Sequence, residues 1–331
     1  MRSLALAATL LLGLSAGMAP PAPARAAEAA PAPVAPPPTA PATQKVTLLL
    51  AWFVNPVHAA IVVAREKGFF ARAGLDVSFV EPADPSMPPR LVAAGQGDIA
   101  LTYQPNFYLD VAAGLPVQRI GTSIATPLNT VMVLADGPIK SLADLKGKTV
   151  GYSVAGYETA LLGTMLESAG VSLTDVKLVN VNFALTEPLL GGQVDAVVGA
   201  YRNVEFYEMQ LAGHPARLFF PEEHGVPPYD ESIFITTVEK SHSAFVRPFL
   251  DAVAVAQLYI LDYPEDSWAA FVKAYPKLDD ALDKAAWGAT IPRLAADPAA
   301  VDAQRYAAFA EFMKRKGLID HVETLDRYIG Q

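Results

Sequence analysis

The chain has 331 residues, with 34 Asp and Glu against 25 Lys and Arg and a formal charge of −9 at pH 7. An acidic chain without a basic run is a poor partner for nucleic acid or for an anionic membrane surface. It holds no cysteine, which excludes disulfides, a thiolate nucleophile, cysteine-ligated metal and a lipoprotein anchor.

Residues 1–26 read as a signal peptide: Arg2 gives a thin positive start, residues 4–14 are an apolar stretch too short to span a bilayer, and Ala24-Arg25-Ala26 is a small-residue cleavage site. The mature chain is therefore expected in the periplasm, exported and not a lipoprotein. Removing Arg2 and Arg25 takes its formal charge to −11. No comparable apolar run follows. Nine of the 28 prolines fall between Pro20 and Pro41, mostly among alanines, so residues 27–44 read as an extended, solvated tether. From Lys45 onward 287 residues remain, too many for one typical core and enough for two lobes.

The first elements alternate: strand 46–51, helix 56–67 closed by Gly68, strand 75–80, helix 88–94 closed by Gly95, and strand 98–102. The pattern resumes with strand 149–153, helix 157–169 closed by Gly170, strand 177–181, helix 187–191 and strand 194–200. Such alternation predicts an α/β fold of two Rossmann-like units, each a parallel sheet covered by helices. Between the units, residues 118–135 form an apolar and Thr/Ser run broken by Pro127, long enough to pass from one sheet to the other. A second run, 232–238, follows the turn-rich stretch 221–230 and could carry the chain back. Beyond Ser241 the pattern is helical, with core stripes Phe245, Phe249, Val253, Leu258 and Tyr306, Phe309, Phe312, Met313. Two crossings make a two-segment hinge: lobe 1 over 45–128 and 231–331, lobe 2 over 129–230, with the ligand cleft between.

The junction after the first strand, Ala51-Trp52-Phe53-Val54-Asn55-Pro56-Val57-His58, sets a large aromatic and two planar polar side chains where an open α/β sheet binds its ligand. Asn55 can N-cap the following helix, and Pro56 suits its first position. A flat ring carrying heteroatoms fits such a mouth.

These segments, with Glu66-Lys67-Gly68-Phe69-Phe70, Gly74-Leu75-Asp76-Val77, Leu91-Val92-Ala93-Ala94-Gly95-Gln96-Gly97-Asp98, Thr102-Tyr103-Gln104-Pro105, Pro127-Leu128-Asn129 and Gly199-Ala200-Tyr201-Arg202-Asn203-Val204-Glu205, resemble the type II periplasmic substrate-binding proteins of ABC importers. The resemblance runs from Lys45 to the C-terminus. The stretches around Gly68 and Gly95 are general to a superfamily that includes sulfonate and nitrate binders. The Trp-Phe-x-Asn-Pro-x-His, Tyr-Gln-Pro and Tyr-x-Asn-x-Glu segments look like the branch that binds thiamine pyrimidine precursors, formylaminopyrimidine and hydroxymethylpyrimidine. Fungal pyrimidine synthases share the fold, but their branch carries a cysteine-rich motif that is absent here.

The resemblance implies a monomer that delivers an aminopyrimidine to an inner-membrane ABC permease, with no cofactor and no catalytic set. Trp52 could stack on one face of the ring and Tyr103 or Tyr201 on the other, at about 0.5–1.5 kcal/mol per offset pair beyond burial; alternatively, Trp52 is an apolar plug at the strand end. Glu205, by resemblance, pairs with the exocyclic amine and a protonated ring nitrogen; without it, Glu205 reads as a solvated carboxylate at a helix start. His58 is assigned hydrogen bonding, since His214, His224 and His242 give no second ligand at metal spacing. Gln104, Asn55, Asn129 and Asn203 are polar contacts or, equally, turn and cap residues.

The glycine-spaced loop 151–159, with Ser153, Gly156, Tyr157 and Glu158, has the arrangement that offers backbone N–H groups to an anion or a carbonyl oxygen. It lacks the lysine of a P-loop, and Glu158 would repel a phosphate. In related proteins this loop meets the ligand's polar tail, so a neutral formyl or hydroxymethyl oxygen is expected there. Ser153, His58 and Asp98 make a triad by composition only, and Asp262, Glu265 and Asp266 read as a capped helix start. Riboflavin-like rings or an alkanesulfonate remain competing ligands for the same fold, and a pyrimidine-forming enzyme a competing class, opposed by the missing cysteine.

Overall fold

The computed structural model describes residues 43–330; the signal segment and residues 27–42 of the tether lie outside the described residues. Ten strands form: β1 Gln44–Leu49, β2 Leu75–Val80, β3 Ile99–Thr102, β4 Val117–Ile124, β5 Asn129–Leu134, β6 Thr149–Tyr152, β7 Lys177–Asn180, β8 Ala196–Tyr201, β9 Ala216–Phe219 and β10 Ser232–Thr237. They make two five-stranded sheets, ordered β2-β1-β3-β10-β4 and β7-β6-β8-β5-β9. Among the described residues, no helix is long and apolar enough to cross a membrane.

Neither sheet is wholly parallel, which corrects the expectation drawn from alternation. In the first, β1 pairs in parallel with β2 and β3, but β10 runs antiparallel to β3 and β4. In the second, β6 pairs in parallel with β7 and β8, while β5 runs antiparallel to β8 and β9. The reversed strands β5 and β10 are the ones that arrive from the other sheet. Parallel strands of an open α/β sheet end at the ligand crevice, so a strand that starts there must run the opposite way. The apolar run 118–135 is accordingly two strands, β4 and β5, parted at residues 125–128 around Pro127.

The junction after β1 folds as its caps dictate. Asn55 N-caps a 3₁₀ turn, Pro56–His58, and its side chain accepts from Val57 N–H. The chain continues as the helix Ala59–Glu66, whose residues Ala59 to Ala64 are all buried against the helices Val246–Asp262 and Pro264–Ala274. In Val246–Asp262, Phe249 and Val253 are buried as expected, but Leu258 is 58 % exposed. Ala256, Gln257 and Ile260 fill the core-facing turn instead. The acidic residues near Pro264 open a helix, as expected, although its N-cap is Tyr263, with no side-chain cap. A helix over Gln104–Ala112 and the strand β9 were not expected: Gln-Pro-Asn reads as a turn, and four residues of β9 are too few to show a period.

Asp230 fastens the second crossing to the first lobe. Its buried carboxylate accepts from Thr122 Oγ1 at 2.8 Å and Tyr306 hydroxyl at 2.9 Å, and pairs with Arg305. Its amide donates to Gln104 Oε1 at 2.6 Å. Asp230→Ala strands these donors, so chemical denaturation should show a loss of about 3 kcal/mol of unfolding free energy with an unchanged slope.

Candidate functional site

At the crevice between the sheets lies a narrow cavity of about 30 Å³, lined by Ala51, Trp52, Asn55, Val57, His58, Tyr103, Glu158, Leu185, Gly199, Tyr201, Glu205 and Ser232. The end of β1 supplies Trp52, whose indole meets Phe183 edge-on at 4.7 Å between centroids. Tyr103 stands between β3 and the helix Gln104–Ala112, stacked on Tyr157 at 4.8 Å and 15°. Tyr201 ends β8, and Glu205 opens the short helix Glu205–Leu211.

Hydrogen bonds fix the protonation of the histidine. Asn55 N–H donates to His58 Nδ1 at 3.3 Å, completing a reciprocal capping box with the Asn55 side chain. Burial pushes the His58 pKa down to about 4, so the ring is neutral at pH 7 with its proton on Nε2, a donor toward the cavity.

Two carboxylates line the opposite wall. Glu205 accepts from Tyr201 N–H through Oε2 at 2.7 Å, and desolvation raises its pKa to about 7. Glu158 is buried, and desolvation raises its pKa to about 8 even though its Oε2 accepts from Ser153 N–H at 2.7 Å and Val154 N–H at 3.0 Å. These bonds correct the reading of the glycine-spaced loop. Two of its amide donors, those of Ser153 and Val154, are occupied by the protein's own carboxylate. Gly199 makes room for this: it is the bulged residue of β8, since Thr130 pairs Ala200 and Val131 pairs Val198. At φ +105°, any Cβ there would collide with the Glu158 carboxylate.

Of the residues expected from sequence, the structure gathers Trp52, Asn55, His58, Tyr103, Glu158, Tyr201 and Glu205 on the cavity wall. It sets the other six behind it. Gln104 bonds Asp230; Asn129 donates to Tyr157 hydroxyl at 2.8 Å and accepts from Gly199 N–H at 3.2 Å. The Ser153 hydroxyl bonds the Asn182 carbonyl, and Gly156, at φ +92°, precedes the helix Tyr157–Ser168. The Tyr157 hydroxyl donates to Glu231 at 3.1 Å, and Asn203 donates to Thr290 at 2.7 Å. Sequence reasoning missed Leu185, Gly199, Ser232 and the buried Glu231. Glu231 accepts from Leu128 and Asn129 N–H at 2.6 and 3.0 Å and from the hydroxyls of Tyr157, Tyr201 and Tyr229. The one available signal was an acidic pair at the start of the returning strand.

Residues 55–267 match the family model described as NMT1/THI5 like. The chain belongs to that family. Within it, the chain is 49 % identical over 288 residues to a putative thiamine biosynthesis protein of Haemophilus influenzae, covering 87 % of this chain and 92 % of the relative. It is 37 % identical over 244 residues to a formylaminopyrimidine-binding protein of Halalkalibacterium halodurans, covering 74 % and 69 %. A 4-amino-5-hydroxymethyl-2-methylpyrimidine phosphate synthase of Saccharomyces cerevisiae is more distant, at 28 % over 252 residues, or 72 % and 74 %. Among solved structures, the periplasmic aliphatic sulphonate binding protein SsuA of Escherichia coli superposes with a TM-score of 0.66 at 18 % identity, covering 87 % and 92 %. That likeness shows the fold alone, the one shared by periplasmic binding proteins, with its two mixed sheets.

Glu158 dictates a pH dependence. Between its ordinary pKa near 4.5 and its folded value of about 8, the unfolded chain is ionised while the folded one keeps its proton. Stability therefore falls as pH rises through this window, by up to about 1.4 kcal/mol per unit for one proton. Thermal melts from pH 5 to 8.5 should show Glu158→Gln gaining on the parent as pH rises; a constant difference would mean the carboxylate is already ionised at pH 5. Gly199→Ala should lower the melting temperature and displace Glu158, at a cost of about 1–3 kcal/mol.

Proposed function

We propose that this chain is the extracytoplasmic solute-binding protein of an ABC importer for a thiamine pyrimidine precursor, formylaminopyrimidine or hydroxymethylpyrimidine. One observation carries the reading: three aromatic rings, a neutral histidine and two carboxylates line one cavity, and no Lys or Arg lines it with them. A 4-aminopyrimidine is flat, donates through its amine and accepts through its ring nitrogens. Trp52, Tyr103 and Tyr201 supply aromatic surface for it. Glu205 accepts from the exocyclic amine through the oxygen that Tyr201 N–H does not occupy, and from a protonated ring nitrogen. His58 Nε2–H donates to a ring nitrogen or the formyl oxygen. The names of the Haemophilus and Halalkalibacterium relatives support the same ligand class.

An alkanesulfonate is disfavoured in this cavity. It needs anion donors, and the amides of Ser153 and Val154 are taken by Glu158. Binding lowers the free energy of the closed arrangement of the lobes, and the permease reads that arrangement at the lobe rims. The protein works as an exported monomer, and its residues bind rather than transform the ligand.

Titration calorimetry with formylaminopyrimidine, hydroxymethylpyrimidine, riboflavin and taurine tests the reading: heat is expected with the pyrimidines, and none with either of them would sink it. Glu205→Gln should weaken pyrimidine binding by about tenfold or more, a loss of at least about 1.4 kcal/mol, without lowering the melting temperature. An unchanged affinity would reduce Glu205 to a structural carboxylate.

A further inference from the structure

A second cavity, of about 200 Å³, adjoins the first and shares Trp52, Asn55, Leu185 and Glu205 with it. Its apolar side is aromatic: Phe183 meets Trp52 at 4.7 Å and Phe53 at 4.5 Å, and Phe53 is 45 % exposed. Its polar side is acidic. Besides Glu205 it carries Glu187, Glu208 and Asp283, and none of the four forms an ion pair among the described residues.

Asp283 is the telling member. It is 7 % exposed and lines the cavity from the first turn of the helix Ala281–Thr290. Its amide donates to Asp280 Oδ1 at 2.8 Å, while its own carboxylate accepts no hydrogen bond among the described residues. Burial and the nearby Asp280 raise its pKa to about 6. Buried carboxylates are ordinarily paired or hydrogen-bonded, and the helix N-terminus beneath this one supplies a dipole but no partner. A cation held between Asp283, Glu208 and Glu187, beside the aromatic pair Phe183 and Trp52, would be attracted by the acids and gain cation–π attraction.

Resting on the reading of the main cavity as an aminopyrimidine site, we propose that this second cavity is a subsite for a planar, positively charged group joined to the bound ring. The protein then binds cationic, ring-substituted aminopyrimidines as well as the small neutral precursors. Trp52 and Glu205 line both cavities, and the linking methylene would pass beside them.

Thiamin, whose aminopyrimidine carries a permanently cationic thiazolium through one methylene, is the probe, and hydroxymethylpyrimidine is its neutral counterpart. Calorimetry on the full chain should show both binding, with thiamin the more weakened by added salt. The double variant Asp283→Asn, Glu208→Gln should bind thiamin about tenfold less tightly, the scale of a charge-assisted contact, and hydroxymethylpyrimidine equally well. Asp283→Asn removes an uncompensated buried charge, so the variant is expected to fold, and its melting temperature checks this. Hydroxymethylpyrimidine binding without thiamin binding overturns the subsite, as does an equal loss for both ligands. Thiamin binding that depends on Asp283 and Glu208, without heat from either small pyrimidine, would keep the subsite and overturn the reading of the main cavity.

Discussion

Two adjacent buried carboxylates at the second crossing, Asp230 and Glu231, hold the lobes and the site in register. Asp230 reaches into the first lobe, to β4, the helix Gln104–Ala112 and the helix Ala303–Arg315. Glu231 reaches the other way, to the amides of the first crossing and to the hydroxyls of Tyr157 and Tyr201. Both crossings are thus tied at one point, and Tyr157 and Tyr201 hang from the other oxygen of the Glu231 carboxylate that holds the first crossing. Desolvation pushes the Glu231 pKa up while the amides and hydroxyls around it hold it back. The carboxylate is tolerated because nearly every lone pair has a donor.

The cavity follows the opposite economy. Glu158 and Glu205 accept backbone bonds through one oxygen each, and burial keeps both reluctant to ionise. A partner that donates hydrogen bonds or carries positive charge lowers the free energy of their ionised forms. An anionic partner meets the reverse. Selectivity by charge is therefore built from desolvation as much as from direct contact.

Most of the framework was legible in the sequence because it rests on local rules. Apolar runs with glycine stops marked most strands and helices of both sheets, although not β9 or the helix Gln104–Ala112, and Asn55-Pro56 announced its cap. Trp52, Tyr103, Tyr201 and Glu205 could be placed at the mouth because they follow strand ends. What stayed hidden depends on distant partners. The reversal of β5 and β10 follows from where the chain re-enters a sheet, and no window of residues encodes that. Gln104, Asn129 and Asn203 could equally contact ligand or backbone, and only the fold shows that the backbone claims them. Glu231 was invisible because its five donors come from four separate stretches of chain.

Glu158 also carries a consequence for how this architecture could change its ligand. Its side chain fills, from within, the cradle of amides that a glycine-spaced loop at a helix start would otherwise hold open to a negative group. The protein thus contains an anion site together with its permanent occupant, tethered by a single side chain. Shortening that side chain would free two amide donors in one step. A negative group would then meet two free amides on this wall, with Glu205 still lining the cavity beside it.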